Sequence, residues 1–339
     1  MSNPVKLSLV ICTYQRPHEV KRLLEAVVAQ TSVPDEILVV DNSHGTATAR
    51  AVNAFLGSNG TPGLVYYKVP AEHSGLTRQR NYGIARSGGD IIAFLDDDAV
   101  PAPDYFAEIL ACFGAHPDAV GVGGYIVGEI DWRRVDAPSR PGLAAFRFGD
   151  WERREDYRWR LRKIVGLASD TPPGWMPPSG HGRSVTFFPP DGKNHEVETI
   201  LGGASAWKRA LFDRLRFSRF FEGYGLYEDL DFCISASRAG SLYVCTRAHL
   251  THDYAPSGRP AKFQYGKMVV RNGWYVWRRR WPLPRFSDRL RWWATSVLLA
   301  VCRLMDSVRG PARKQALAET AGRLWGMAAV LGNAPEIER

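Results

Sequence analysis

Three consecutive aspartates, Asp96-Asp97-Asp98, follow directly on the apolar run Ile91-Ile92-Ala93-Phe94-Leu95. Like charges this close raise one another's pKa, and a divalent cation among them relieves the repulsion. In an extended D-x-D segment alternate side chains point to the same side. Asp96 and Asp98 can therefore share one ion while Asp97 faces elsewhere, and hard carboxylate oxygens suit Mg²⁺ or Mn²⁺. Taken alone, the run fits a solvated acidic turn capping the next helix equally well. A second acidic group, Glu228-Asp229, opens a helical stretch, where negative charge also favours the helix dipole.

The elements that must position these acids are legible from pattern. Leu7–Cys12 is a short apolar run of strand length that ends at Thr13-Tyr14-Gln15-Arg16-Pro17. Pro17 suits the first turn of a helix, and Val20, Leu23, Leu24, Val27 and Val28 follow at helical spacing through Gln30. Glu36–Asp41 is a second buried strand ending in an acid, residues 47–56 a helix, Leu64–Val69 a third strand, Gly75–Ser87 a helix and Ile91–Leu95 a fourth strand. Strand and helix alternating in this way imply an α/β fold with a mostly parallel sheet covered on both faces. Ligands of such sheets sit at the carboxyl ends of the strands, so Thr13, Asp41 and Asp96–Asp98 should line one crevice. From Val127 to Thr199 the alternation breaks down into Trp-, Arg- and Pro-rich sequence, expected to be an insertion over that crevice. Helices are expected near Lys208–Leu215 and Glu228–Ala239, with a strand residue at His249, and the chain turns helical, basic and aromatic after Ala261.

Six motifs accompany the acids in order: Val10-Ile-Cys-Thr-Tyr-Gln-Arg-Pro17, Val39-Val-Asp-Asn-Ser43, Leu76-Thr-Arg-Gln-Arg-Asn-Tyr-Gly-Ile84, Phe94-Leu-Asp-Asp-Asp-Ala-Val-Pro101, Gly202-Gly-Ala-Ser205 and Tyr227-Glu-Asp-Leu-Asp-Phe232. Together they resemble family 2 of the inverting glycosyltransferases over roughly residues 5 to 255. The resemblance implies a GT-A fold: a Rossmann-like, mostly parallel central sheet with helices on both faces. The C-terminal helices extend it, giving a domain at 1–255 that contains the 127–199 insertion as its acceptor region and a helical basic, aromatic extension at 256–339. It also implies a nucleotide-sugar donor of UDP or dTDP type, a Mn²⁺ or Mg²⁺ ion, and a glycan or lipid-linked glycan as acceptor.

Carried over residue by residue, the resemblance puts Thr13, Tyr14 and Arg16 beside the donor nucleotide and makes Asp41 the acid that hydrogen-bonds the base. Arg78 or Arg80 would contact base or phosphate, and Asn81 would shape that wall. Asp96 and Asp98 match the DxD pair that holds ribose and metal, with Asp97 among the donor contacts. Gly203 and Ala204 belong to the loop between donor and acceptor. Asp229 would be the general base, with Glu228 beside it raising its pKa. His252, in Thr251-His-Asp-Tyr-Ala-Pro-Ser-Gly-Arg259, would be a third metal ligand, and Arg259 could bond phosphate. Trp207 suits the floor of an acceptor site or core packing, and Phe220, Phe221, Tyr224 and Tyr227 could stack on sugars. Local alternatives exist for Asp41 as a turn cap, for His252 as a structural histidine and for Arg78 and Arg80 as solvated helix residues.

Composition narrows the classes. The net charge of +9 and pI of about 9.4 suit an anionic partner. Five scattered cysteines with no CxxC spacing argue against a zinc site or a disulfide framework and for a reducing, cytoplasmic setting. No run of 18 apolar residues exists, so no spanning helix is expected. Trp and Arg interleave over 271–293 ahead of the apolar Ala294–Cys302, which suits a helix lying in an anionic membrane surface on the inner face or a packed helical pair. A nucleotidyltransferase would carry a Gly-rich, Lys-bearing loop where this chain has Thr13-Tyr-Gln-Arg-Pro17. A nucleic-acid binder, or a non-catalytic sugar binder, has no need of acids at the strand ends, and without a metal those acids would repel phosphate.

Overall fold

The computed structural model describes residues 5–61, 63–128, 130–136, 141–221, 223–253, 257–309 and 311–338. In chain order the main elements are β1 (Leu7–Thr13), α1 (Pro17–Val28), β2 (Glu36–Asp41), α2 (Ala47–Asn59), β3 (Leu64–Lys68), α3 (Leu76–Ile84), β4 (Ile91–Asp96), β5 (Ala99–Pro101), α4 (Tyr105–Ala115) and β6 (Ala119–Ile126). Then come β7 (Trp132–Arg134), β8 (Ala145–Phe148), β9 (Trp151–Arg154), α5 (Tyr157–Ile164), β10 (Asn194–Val197), β11 (Ala204–Lys208), α6 (Glu228–Ala236) and β12 (Ser241–His252). Three long helices follow: α7 (Lys262–Arg280), α8 (Phe286–Arg309) and α9 (Arg313–Gly332). The chain divides into two compact units, 1–128 with 190–259, and 129–189 with 260–339.

The first unit is built on a sheet of order β10-β12-β6-β11-β4-β1-β2-β3, with β5 pairing β12. β4, β1, β2 and β3 run parallel; the first three are continuous apolar runs buried on both faces, and β3 is the half-exposed edge strand. Leu9, Val10 and Ile11 have no exposed surface, nor do Val20, Leu23, Leu24 and Val27 of α1, which lay one apolar stripe on the sheet. Register brings the carboxyl ends together: Thr13 lies opposite Asp41, and Cys12 opposite Asp96. β11 runs antiparallel to β4 and places Ala204 against Leu95. β12 carries His249 as expected and turns back over β5, pairing His252 with Ala99.

Two expectations of local structure fail. Lys208–Leu215 is not an α-helix. Lys208 ends β11, and Arg209–Asp213 form a short 3₁₀ turn in which Leu211 and Phe212 are buried, so their spacing reflects one packed turn. The insertion is also more regular than its sequence: β7, β9 and β8 form a small antiparallel sheet, followed by α5.

The second unit joins this insertion to the C-terminal helices, so the compact bodies do not follow the division at 255/256 expected from sequence. Within it, Tyr157 Oη donates to Asp306 Oδ1 at 2.5 Å and Arg158 pairs with Asp306 at 2.6 Å, tying α5 to α8. The buried Glu155 pairs with Arg183 at 2.6 Å, and the Arg183 guanidinium lies 3.9 Å from the Trp159 ring centre and 4.3 Å from that of Phe146. Burying these charges is offset by pairing and by the ring faces. Trp277 and Trp292 stack at 5.4 Å, and Trp277 donates its indole N–H to the Pro178 carbonyl at 2.8 Å.

Candidate functional site

The site forms where β1, β2 and β4 of the first unit end. Asp96 closes β4, and Asp97 and Asp98 continue from it. Their side chains diverge as the D-x-D spacing expects. Asp97 turns inward, accepts from the Thr13 hydroxyl at 2.7 Å and pairs with Arg16 at 2.7 Å. Asp96 and Asp98 turn to His252: the imidazole Nε2 lies 3.6 Å from Asp96 Oδ2 and 3.3 Å from Asp98 Oδ1. One ligand atom from each of these three residues lies within 4.8 Å of the others. Two hard oxygen donors and an imidazole nitrogen make a set that Mn²⁺ or Mg²⁺ can accept, with the nitrogen favouring Mn²⁺.

Arg16 also donates to the Ser257 carbonyl from Nη2 at 2.5 Å and pairs with Asp98 at 3.2 Å. It therefore clasps the segment after β12 to the acidic run rather than presenting a free guanidinium to a donor. The same segment is held by Arg22 with Asp253 and by the Asp253 N–H bonded to the Asp98 carbonyl. Tyr254, Ala255 and Pro256 lie outside the described residues. Arg259 is exposed.

A second group of acids adjoins the first. The Gly202-Gly203 turn enters β11 against both: the Gly203 carbonyl accepts from the Asp96 N–H at 3.0 Å, and the Gly202 N–H donates to Asp229 Oδ2 at 3.2 Å. A Cβ on Gly203 would fall on the Asp96 carboxylate, and one on Gly202 would stand 2.8 Å from Glu228 Oε1 and 2.9 Å from Asp229 Cβ. Only residues without a side chain let the two acidic groups approach across this turn. Arg80 links them from beneath, pairing with Glu228 and reaching Asp96 at 3.8 Å, with its guanidinium 5.4 Å from the Phe94 ring centre and 5.1 Å from that of Phe217.

Five carboxyl groups thus face two guanidinium groups, and burial raises three of the five, Asp97, Glu228 and Asp229. Burial pushes Asp97 up to about 6, against the pull of Arg16 and Thr13. Burial pushes Glu228 up to about 8, against Arg80, and its Oε2 is buried with no hydrogen-bond partner. Asp229 is also raised by burial, although the Gly202 and Leu230 N–H groups and Arg80 favour its ionised form. Desolvation pushes Asp96 up too, but His252 and Arg80 outweigh it and hold this carboxyl below its ordinary value. A cation entering there would find Asp96 ionised throughout the neutral range.

Tyr227, which precedes these acids, has φ of 70°, and Gln15, after β1, has φ of 55°. Non-glycine residues rarely adopt this region, and such strain gathers at working sites. The Gln15 N–H is held by the Ser43 hydroxyl at 2.6 Å.

Several residues singled out in the sequence lie elsewhere or are engaged otherwise. Asp41 sits beside Thr13 but has no exposed surface: it accepts from the Ser43 N–H at 2.7 Å and the Tyr66 hydroxyl at 2.6 Å, with Lys68 at 3.5 Å. A base could reach it only by displacing one of these. Arg80 is 2% exposed, which removes it from direct contact with base or phosphate and makes it an internal counter-ion instead. Arg78 donates to the Glu72 carbonyl at 2.9 Å. Asn81 exchanges hydrogen bonds with the backbone of Phe217 at 2.8 and 3.0 Å, a structural pin. Tyr14 is half-buried, edge-on to His44 at 5.8 Å.

Trp207 is 2% exposed, bonded to Ser205 Oγ at 3.0 Å and edge-on to Phe232 at 4.8 Å, so it is core and not the floor of a sugar site. Ala204 and Phe221 are likewise buried. The rise in Asp229 comes first from burial, with Asp96 adding to it, and the repulsion between the two adjacent acids raises Glu228. Sequence reasoning missed Gln79, whose amide donates to the Thr13 and Val40 carbonyls at 3.1 and 2.8 Å and ties the two strand ends together. A buried Gln on a helix gives no local signal of this.

Comparison with known proteins agrees with the fold. Residues 8–171 match the glycosyl transferase family 2 model. A glucosyl-dolichyl phosphate glucuronosyltransferase of Haloferax volcanii is 32% identical over 130 residues, 38% of this chain and 40% of that protein. The succinoglycan biosynthesis protein ExoM of Rhizobium meliloti is 32% identical over 108 residues, 31% of this chain and 33% of that protein. The chain thus matches well under half the length of these relatives. Among solved structures, the mannosyltransferase PcManGT from Pyrobaculum calidifontis, in complex with GDP-Man and Mn²⁺, superposes with a TM-score of 0.53 at 14% identity, covering 95% of this chain and 87% of that one. GalNAc-T7 with UDP, GalNAc and Mn²⁺ superposes at 0.52 with 13% identity, covering 99% of this chain and 59% of that one. At such identities the likeness shows the GT-A fold alone. The match to glycosyl transferase family 2 covers residues 8–171, just under half of the chain, and says what this chain is similar to.

Proposed function

We propose that this protein transfers a sugar from a nucleoside diphosphate sugar, of UDP or dTDP type, to an acceptor hydroxyl with inversion at the anomeric carbon. The observation that carries this is the juxtaposition of two acidic groups across Gly202-Gly203. Asp96 and Asp98 meet His252 on one side, and Asp229 lies on the other with its carboxylate oriented by the Gly202 N–H.

Asp96, Asp98 and His252 would hold Mn²⁺ or Mg²⁺, which as a Lewis acid neutralises charge on the departing diphosphate. Asp229 is the base: its burial raises its proton affinity, two backbone N–H groups aim it, and it accepts the proton of the acceptor hydroxyl as that oxygen attacks. Arg80 keeps Glu228 and Asp96 at fixed positions around this base. The Thr13–Asp97–Arg16 cluster anchors the acidic run on which donor binding depends. GDP-Man, UDP and Mn²⁺ in the named complexes of the two structural neighbours support the donor and metal classes. The dolichyl phosphate in the name of the Haloferax relative supports a glycan or lipid-linked acceptor.

A thermal-shift screen of nucleoside diphosphates and their sugars, with and without Mn²⁺, tests this. One nucleotide at about 100 times its Kd should add roughly 2.7 kcal/mol of stability, a rise of a few degrees in Tm, and most of it should require the metal. No shift with any nucleotide in either condition would overturn the proposal.

A further inference from the structure

The solvent side of α8 is apolar along its length. Phe286, Leu290, Val297, Val301, Leu304 and Val308 are between 44% and 76% exposed. At 100° per residue they fall within a stripe about 60° wide, and their 22-residue span is about 33 Å. A stripe of this length on one helix exceeds the scattered exposed apolar residues ordinary for a surface.

Its charge surroundings indicate what covers it. Residues 260–339 contain 15 Lys and Arg against 5 Asp and Glu, a net charge of +10, so the rest of the chain comes to −1. Arg285, Arg289 and Arg291 are exposed at the amino end of the stripe. The two acids of α8, Asp288 and Asp306, lie five turns apart on the opposite side of the helix. Asp306 is drawn inward by Tyr157, Arg158 and Arg303. Among the described residues no helix is long and apolar enough to cross a membrane. An apolar stripe with arginines at one end and acids turned away matches a helix that lies in the interfacial plane of an anionic bilayer.

We propose that α8 docks this protein on an anionic lipid surface, with the Phe286–Val308 stripe in the acyl boundary and Arg285 and Arg289 among the headgroups. Nothing in this depends on the chemistry assigned to the acidic site.

The test is co-sedimentation of the full chain with vesicles of phosphatidylcholine and phosphatidylglycerol, against phosphatidylcholine alone. The wild type should partition onto the anionic vesicles, less so at high salt, and far less onto neutral ones. Arg285→Gln with Arg289→Gln should lower partition about 25-fold, roughly fivefold per arginine. Val301→Asp with Leu304→Asp, both at exposed positions, should abolish it. Each variant should keep the melting temperature of the wild type, which separates loss of docking from loss of fold. Equal partition onto neutral vesicles, no partition at all, or partition indifferent to both double variants would overturn the proposal. So would a dimer that never binds vesicles and is dissociated by Val301→Asp with Leu304→Asp, which would identify a second copy of the chain as the occupant.

Discussion

Asp98→Ala should reduce sugar transfer by roughly 10³-fold, the rate equivalent of the several kcal/mol that a Lewis acid supplies to a departing phosphate. Asp98 faces His252 with one oxygen and Arg16 with the other, and is the most buried of the three donors. Removing it leaves Asp96 and His252, too few for a hard divalent ion held in place. The fold should survive, because Arg16 retains Asp97 at 2.7 Å and Asp97 retains Thr13. Transfer measured over a range of Mn²⁺ concentrations, beside the melting temperature, checks this. A variant that melts normally and turns over at the wild-type rate would remove Asp98 from the metal site.

Asp229→Asn should cost 10²- to 10⁴-fold in kcat, the usual range for losing a positioned base, with little change in donor affinity. Asparagine keeps the shape, but its single oxygen can accept from only one of the Gly202 and Leu230 N–H groups, and it cannot take up a proton. The pH profile carries the sharper expectation. A base whose pKa is raised by burial is ionised only above that raised value, so the rate should fall as pH falls through it, above the ordinary aspartate range. The variant should lose this acidic limb together with the rate. Donor binding by calorimetry and a pH-rate profile are the two measurements. Unchanged turnover, or an acidic limb that persists in the variant, would assign the proton to another group.

The sheet half of this protein was readable because its physics is local. Buried parallel strands appear as unbroken apolar runs, and the first, second and fourth runs stop at Thr13, Asp41 and Asp96, which the sheet register brings together. The D-x-D spacing likewise foretold that Asp97 would part from its neighbours. The approach of His252 to Asp96 and Asp98 has no local signature, since it arises when β12 pairs with β5. Only the resemblance pointed to it.

Residues whose roles depend on what surrounds them were misread. Arg80 reads as a solvated helix arginine or a phosphate ligand, and only the closing of Phe94, Phe217 and Glu228 around it makes it a buried counter-ion. Trp207 alternates correctly for a strand, but sequence cannot tell which face of that strand meets Gly121 and Phe232. The insertion was opaque for a related reason. It shares a compact unit with helices more than a hundred residues away, through ion pairs such as Arg158 with Asp306 and stacked rings rather than through a periodic apolar face.

The central claim is that Asp96, Asp98 and His252 hold a divalent ion beside a donor's diphosphate. Titration of the wild-type chain with Mn²⁺, followed by the loss of the free ion's electron paramagnetic resonance signal, tests it most directly when done with and without the nucleoside diphosphate that gives the largest thermal shift. One ion per chain should bind, more tightly once the nucleotide is present. A free-ion signal that the protein leaves undiminished, with the nucleotide adding nothing beyond its own affinity for Mn²⁺, would contradict the account.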